Sequence, residues 1–258
     1  MGRFQDLTVL VTGAAGGFGR RAAERFGEEG ARLVLSDLVS EPLEELAATL
    51  ETETATLAGD IADERLSGRL VKLALAHFGR LDIAVNNAGV AHSLLKLPHI
   101  PSQEVRRVVQ IDLLGVFYAL RHQIPVMERQ NLARGHRGTI VNIASFAGLT
   151  GVARLSIYSA ANHGVIGLTR SAAAECASKG IRVNAVCPSY AKTNMIRDFF
   201  SRGGRDEVEL AAELIRGGPM RRFAEIDEVV EVILFAADPR NSFMTGNALC
   251  VDGGVTAI

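Results

Sequence analysis

An apolar run, Leu7 to Val11, leads into Thr12-Gly13-Ala14-Ala15-Gly16-Gly17-Phe18-Gly19, and a helical pattern follows at once. Glycines at Gly13, Gly17 and Gly19 permit a tight turn, close backbone approach to a pyrophosphate, and close packing of helix on strand. The helix N-terminus then faces the anion with its free N–H groups. Asp37 ends the second apolar run, 18 residues after Gly19. A carboxylate there can accept both hydroxyls of an adenosine ribose and would repel a 2′-phosphate. Positions 14 to 18 also hold no Arg or Lys to attract such a phosphate. The pattern predicts NAD rather than NADP; the plain alternative for Asp37 is a helix N-cap.

Other chemistries lack their residues. The histidines, His77, His92, His99, His122, His136 and His163, form no i,i+4 pair and sit near no cysteine pair, so no metal site is expected. Ser145 lies in Ala144-Ser145-Phe146, not in the G-x-S-x-G turn of a serine hydrolase. The acidic pairs Glu28-Glu29 and Glu44-Glu45 fall on helical patterns and read as solvated faces.

Short Val/Ile/Leu-rich runs alternate with helical patterns almost throughout. The runs are Leu7 to Val11, Ala31 to Leu35, Thr54 to Ala58, Leu81 to Val85, Thr139 to Ile143, Ile181 to Val186 and Ala248 to Val251. Helix-period stretches such as Arg20 to Glu29, Glu41 to Leu50, Ala62 to His77, Ser102 to Met127 and Tyr158 to Ser178 lie between them. Strands apolar on both faces and joined through helices require a parallel sheet covered on each side. The fold class is therefore α/β: a doubly wound, mostly parallel, Rossmann-like sheet in a single domain spanning 1–258. Right-handed crossovers gather the strand C-termini along one edge, where the ligand crevice forms. The irregular segment 189–219 reads as a substrate lid, and equally as a surface excursion.

Charge and composition bound the partners. With 258 residues, 28 basic and 29 acidic, the chain carries a formal charge of −1 and offers no field for nucleic acid or anionic lipid. The longest stretch free of Lys, Arg, Asp and Glu, Gly138 to Ala153, is too short and too polar to span a bilayer. The first residues meet a strand-like run by Leu7, so no signal peptide is expected. Cys176, Cys187 and Cys250 are an odd number without C-x-x-C spacing, the pattern of reduced thiols in a cytoplasmic protein.

With the glycine turn in place, the chain resembles the short-chain dehydrogenase/reductase family over nearly its whole length. Asp60-Ile61 is similar to the family's adenine contact, and Asn86-Asn87-Ala88-Gly89 to the signature that steadies the central sheet beside the cofactor. Asn142-Ile143-Ala144-Ser145 resembles the strand end with the catalytic serine, and Tyr158 follows Ser145 by 13 residues. Cys187-Pro188-Ser189 through Thr193 is similar to the segment whose threonine holds the carboxamide, and Val251-Asp252-Gly253-Gly254 to the family's ending. The resemblance implies that Tyr158 moves a proton to a ketone or from an alcohol, while Ser145 holds the same oxygen. It also implies an NAD(H)-dependent oxidoreductase acting on a small secondary alcohol or ketone, assembled as a homotetramer or dimer. A 3-oxoacyl-thioester reductase is the nearest alternative.

Two positions depart from the family. Its tyrosine motif is Tyr-x-x-x-Lys, and here Asn162 stands in the lysine's place. The lysine's charge lowers the tyrosine pKa; Asn162 can bond ribose hydroxyls but brings no charge. Asp112 replaces an Asn on the helix after strand four. If ionised, it adds negative charge beside a group that must become a phenolate. Both changes are expected to hinder turnover at neutral pH. Three readings follow: a dehydrogenase that works slowly or at high pH, one carrying a substitution that traps a complex, or a dinucleotide-binding relative without hydride transfer. Lys192 and His163 are weak replacement cations, since Lys192 is expected in solvent and His163 lies one residue off the Tyr158 face. The substrate side is expected to be largely apolar, with His92, Leu149, Met195 and Phe199.

Overall fold

The computed structural model describes residues 2–130, 137–196 and 207–258. The apolar runs become β1 (Thr8–Thr12), β2 (Arg32–Ser36), β3 (Thr54–Thr56), β4 (Ile83–Asn86), β5 (Gly138–Ile143), β6 (Ile181–Pro188) and β7 (Ala248–Val251). They form one parallel sheet in the order β3-β2-β1-β4-β5-β6-β7. The order reverses between β1 and β4, which opens a crevice beyond their C-terminal ends.

Both faces are covered. Helices α1 (Gly17–Glu28) and α8 (Ile226–Ala237) close one side, and α3 (Glu64–Phe78), α5 (Gly115–Arg129) and α6 (Ser156–Cys176) the other. Alternation along the strands feeds two cores: Val9, Val11, Leu33, Leu35 and Val141 pack with Phe26 and Ile233. Leu10, Val34 and Ile140 pack with Leu70, Leu120 and Val165. Continuous apolar strands are the direct result. The remaining helices are α2 (Ser40–Thr49), α4 (Ser102–Val108) and α7 (Glu207–Arg216). Among the described residues no helix is long and apolar enough to cross a membrane.

Two differences from expectation bear on the site. The single helix expected over Ser102 to Met127 is α4, then one π turn at Val109–Leu114, then α5. Such widened turns recur at functional positions, and this one carries Asp112. Helices α7 and α8 were not anticipated. In α8 the run Val229-Val230-Glu231-Val232-Ile233 is β-branched and strand-like by propensity. Its start is set by the Glu228 carboxylate, which accepts the Glu225 N–H at 2.8 Å.

The C-terminal end of α8 rests on Arg182 of β6. Its guanidinium donates to the carbonyls of Ala236, Ala237, Asp238 and Met244 and to the Thr139 hydroxyl, at 2.9–3.4 Å. A buried cation is tolerable here because the helix's last carbonyls have no partners of their own.

Candidate active site

A cavity of about 410 Å³ occupies the C-terminal edge of the sheet at the β1/β4 reversal. Its first wall is the glycine turn. Gly13 (φ 64°) and Gly17 (φ 52°) adopt the left-handed conformation. A Cβ on Gly13 would stand 2.8 Å from Asn87 Nδ2. One on Gly19 would stand 2.0 Å from the Gly13 carbonyl oxygen, so Gly19 serves helix packing behind the wall that Gly13, Gly16, Gly17 and Phe18 present. No side chain caps the start of α1, which leaves its first N–H groups open to an anion.

One end of the cavity is organised by carboxylates held in place. Asp37 Oδ2 accepts the Ala15 N–H at 2.8 Å, and Oδ1 accepts the Leu38 N–H at 2.7 Å. Val39, not Asp37, caps α2, so the N-cap reading fails. Asp60 accepts the Ala62 N–H at 2.9 Å, and Ile61 lies beside it in the lining. Asn87 clamps the turn: its Nδ2 donates to the carbonyls of Thr12 and Gly13, each at 3.0 Å. Pro188 and Thr193 line the far side of the same cavity.

A buried polar chain sets the depth of α6 against the sheet. Asn86 donates to Asn142 at 2.8 Å, Asn142 donates to Thr169 at 2.9 Å, and Gln123 of α5 donates back to Asn86 at 2.8 Å. That register brings Tyr158 on α6 to Ser145 at the end of β5. The Ser145 hydroxyl accepts the Ala147 N–H at 3.2 Å and donates only weakly to the Pro188 carbonyl, at 3.5 Å. It lines the same cavity as the Tyr158 phenol, on which it acts as a lowering influence.

Charge at this end is unusual. Among the described residues that line the cavity there are three carboxyls, Asp37, Asp60 and Asp112, and no Lys, Arg or His. Burial, then the Asp112 charge, raise the Tyr158 phenol well above its ordinary value, opposed more weakly by the neighbouring polar groups of Ser145 and Asn162. Asn162 is buried and donates to the Tyr158 carbonyl at 2.9 Å. Lys192 is paired with Glu225. His163 is exposed on α6, with Nδ1 against the Ser159 carbonyl at 2.9 Å. Neither supplies the missing cation.

Asp112 differs from the ionised group considered on sequence grounds. Its Oδ1 accepts the Val90 N–H at 2.8 Å, while Oδ2 is buried without a partner. Burial is the largest influence and pushes its carboxyl up to about 8, so it is mostly protonated at neutral pH.

The end of the cavity expected to face substrate is apolar, though not with all the residues expected. Met195 lines it together with Leu155, Ile196, Phe146 and Tyr190, whose ring meets Phe146 edge to face at 5.3 Å. His92 is buried outside the lining, bonded to the Ser93 carbonyl at 2.7 Å, and Leu149 packs into the core. Phe199 lies outside the described residues. Tyr190 and Leu155 were missed, although each sits two or three residues from a motif position, Pro188 or Tyr158.

Known proteins resemble this chain throughout. A family model described as enoyl-(acyl carrier protein) reductase matches residues 13–256. The cis-4-hydroxycyclohexanecarboxylate dehydrogenase of Sinomonas cyclohexanicum is 37% identical over 258 residues, covering 99% of this chain and 98% of that one. The cyclohexanol dehydrogenase of Acinetobacter sp. strain SE19 is 34% identical, covering 99% and 97%. The crystal structure of levodione reductase matches with a TM-score of 0.93 at 34% identity, covering 98% of this chain and 99% of that one. Likeness of this extent, in sequence and in fold, shows that the chain belongs to the short-chain dehydrogenase/reductase family and is an oxidoreductase of that kind.

Proposed function

We propose that the chain interconverts a secondary alcohol and a ketone with NAD(H), on a small alicyclic substrate. The presence of Ser145 and Tyr158 together in the lining of one cavity, beside the apolar wall, carries this reading. The cavity fits the cofactor: an uncapped helix start faces a pyrophosphate's place, and Asp37 stands at the ribose position with lone pairs to spare. When bound, the nicotinamide supplies or removes the hydride. Tyr158 gives its proton to the ketone oxygen or takes one from the alcohol, and Ser145 turns its weakly engaged O–H onto the same oxygen. A phenol held protonated suits ketone reduction at neutral pH. Asn162 and Thr193 border the cofactor without charge, and Gly13, Gly17, Phe18, Asp60, Ile61, Asn87 and Pro188 complete its wall.

The alicyclic choice rests on the six-membered rings in the relatives' names and on the wall of Leu155, Tyr190, Met195 and Ile196. We read 189–219 as the substrate lid; residues 197–206 of it lie outside the described residues. Part of it is tied down, since Arg154 pairs with Glu213 of α7 at 2.8 Å. Three free cysteines and a near-neutral charge support a cytoplasmic protein with a small-molecule partner and no nucleic acid or membrane. Family habit supports a homotetramer or dimer.

The test is a panel of cyclic and linear ketones with each cofactor. We expect NADH to bind at least about tenfold more tightly than NADPH, a gap of about 1.4 kcal/mol. Asp37→Ala should narrow it. Equal affinities in the unmodified protein, or turnover of linear ketones alone, would overturn the corresponding assignment.

A further inference from the structure

Asp112 is a buried acid one place removed from the chemistry, and its role can be taken further on the alcohol–ketone reading above. We propose that Asp112 is a pH-dependent positioning residue for Tyr158: as a neutral acid it takes the part of an amide, and once ionised it opposes negative charge on the phenol and slows turnover.

The geometry is that of an acid rather than a carboxylate. An ionised carboxyl offers about four lone-pair sites and is costly to bury without donors for them. Asp112 is 6% exposed, and its hydrogen bonds come down to one backbone N–H, on Oδ1. Its other oxygen is enclosed and unpartnered. A proton on Oδ2 makes the group a copy of asparagine: one oxygen accepts from Val90, and a donor stands beside it.

Its surroundings supply little to hold a charge. The cation that acts on Asp112 is Arg107 of α4, already engaged by Glu104 at 2.8 Å and by the Ala91 carbonyl at 2.9 Å. From α6, which packs on the π turn, the titratable group is Tyr158; Asn162 is neutral and His163 is exposed. Loop 87–90 contributes the Val90 N–H and no charged side chain. The balance leaves the carboxyl at about 8. Above that pH the new charge falls on Tyr158, where it is the largest influence after burial. The phenol oxygen must gain negative charge in either direction, by releasing a proton to a ketone or by standing ready to take one from an alcohol. An ionised Asp112 opposes both.

The experiment joins a spectrum to a pH profile. Infrared difference spectra of the unmodified protein between about pH 6.5 and about pH 9.5 should show a protonated carboxyl that disappears on titration. The band should be missing in Asp112→Asn, or in Asp112→Ser should the first variant not fold. Over the same interval ketone reduction should fall by about tenfold in the parent and by less than about twofold in Asp112→Asn. A carboxyl already ionised at the lower pH overturns the proposal, as does a fall in Asp112→Asn that matches the parent. If no ketone is reduced at all, the proposed function fails instead, and the infrared band still decides the state of Asp112.

Discussion

Two buried polar regions of this molecule treat charge in opposite ways. At the far end of β6, Arg182 is 4% exposed and donates five hydrogen bonds, with only Nε left over. At the sheet's C-terminal edge, Asp112 is buried as deeply and accepts from a single N–H, beside a phenol whose cavity has no cation among its described lining residues. Burial acts on both, lowering the Arg182 guanidinium to about 10 and raising the Asp112 carboxyl to about 8. Ten leaves the guanidinium charged at neutral pH, whereas eight leaves the carboxyl neutral. A saturated group keeps its charge and becomes structure, and an unsaturated one gives up its charge and stays able to change.

The largest effect should come from breaking the saturated region. Arg182→Met leaves the carbonyls of Ala236 and Ala237 at the end of α8 without donors, while those of Asp238 and Met244 keep the Asn241 N–H and the Asn184 amide. Unsatisfied buried acceptors cost about 1–3 kcal/mol each, with partial relief as the helix end loosens, so we expect a loss of about 3 kcal/mol. Urea denaturation measures it. The pH profile of turnover should keep its shape, because Arg182 does not reach the cavity. A loss below about 0.5 kcal/mol would mean that the cluster is not what holds α8.

Giving the site the cation it lacks comes next. Asn162→Lys places an ammonium beside Tyr158 and should lower the phenol by about one to three pKa units. We expect alcohol oxidation near neutral pH to rise at least about tenfold, and the gain to persist toward about pH 10, because the phenol starts well above its ordinary value. Tyr158→Phe in that background should abolish the gain, since no proton carrier remains. A lysine protein that binds NADH yet oxidises alcohols no faster at any pH would show that Asn162 is not what limits Tyr158.

The same contrast explains what could be read in the sequence. The parallel sheet was legible because strands buried on both faces must be apolar without interruption, and runs such as Leu7 to Val11 are. The glycine turn was legible because Gly13 and Gly17 need backbone angles that other residues resist. Helix α8 was hidden by β-branched residues whose propensity is overridden by packing. The π turn at Val109–Leu114 was hidden for another reason: an extra residue in one turn hardly disturbs an apolar pattern across Ser102 to Met127. The state of Asp112 was the least accessible, because residue type fixes its ordinary acidity and only the assembled site removes its water. His92 and Leu149 show the converse, since nearness to a motif in sequence did not bring them to the cavity.

The last effect is the sharpest on the comparison, because it reads Asp112 without any turnover. In the folded protein its carboxyl titrates near 8, and in the unfolded chain near the ordinary 3.8. Between those values the folded state holds the extra proton, so stability contributed at this position falls as pH rises and levels off above the folded value. Asp112→Asn keeps the shape and removes the titration. The variant's melting temperature, relative to the parent, should therefore climb steadily from about pH 4 to about pH 8 and then stay level. Differential scanning calorimetry across that range supplies the curve. A difference that does not change with pH would place an ionised carboxylate at Asp112 throughout, and the two buried regions would then follow the same rule.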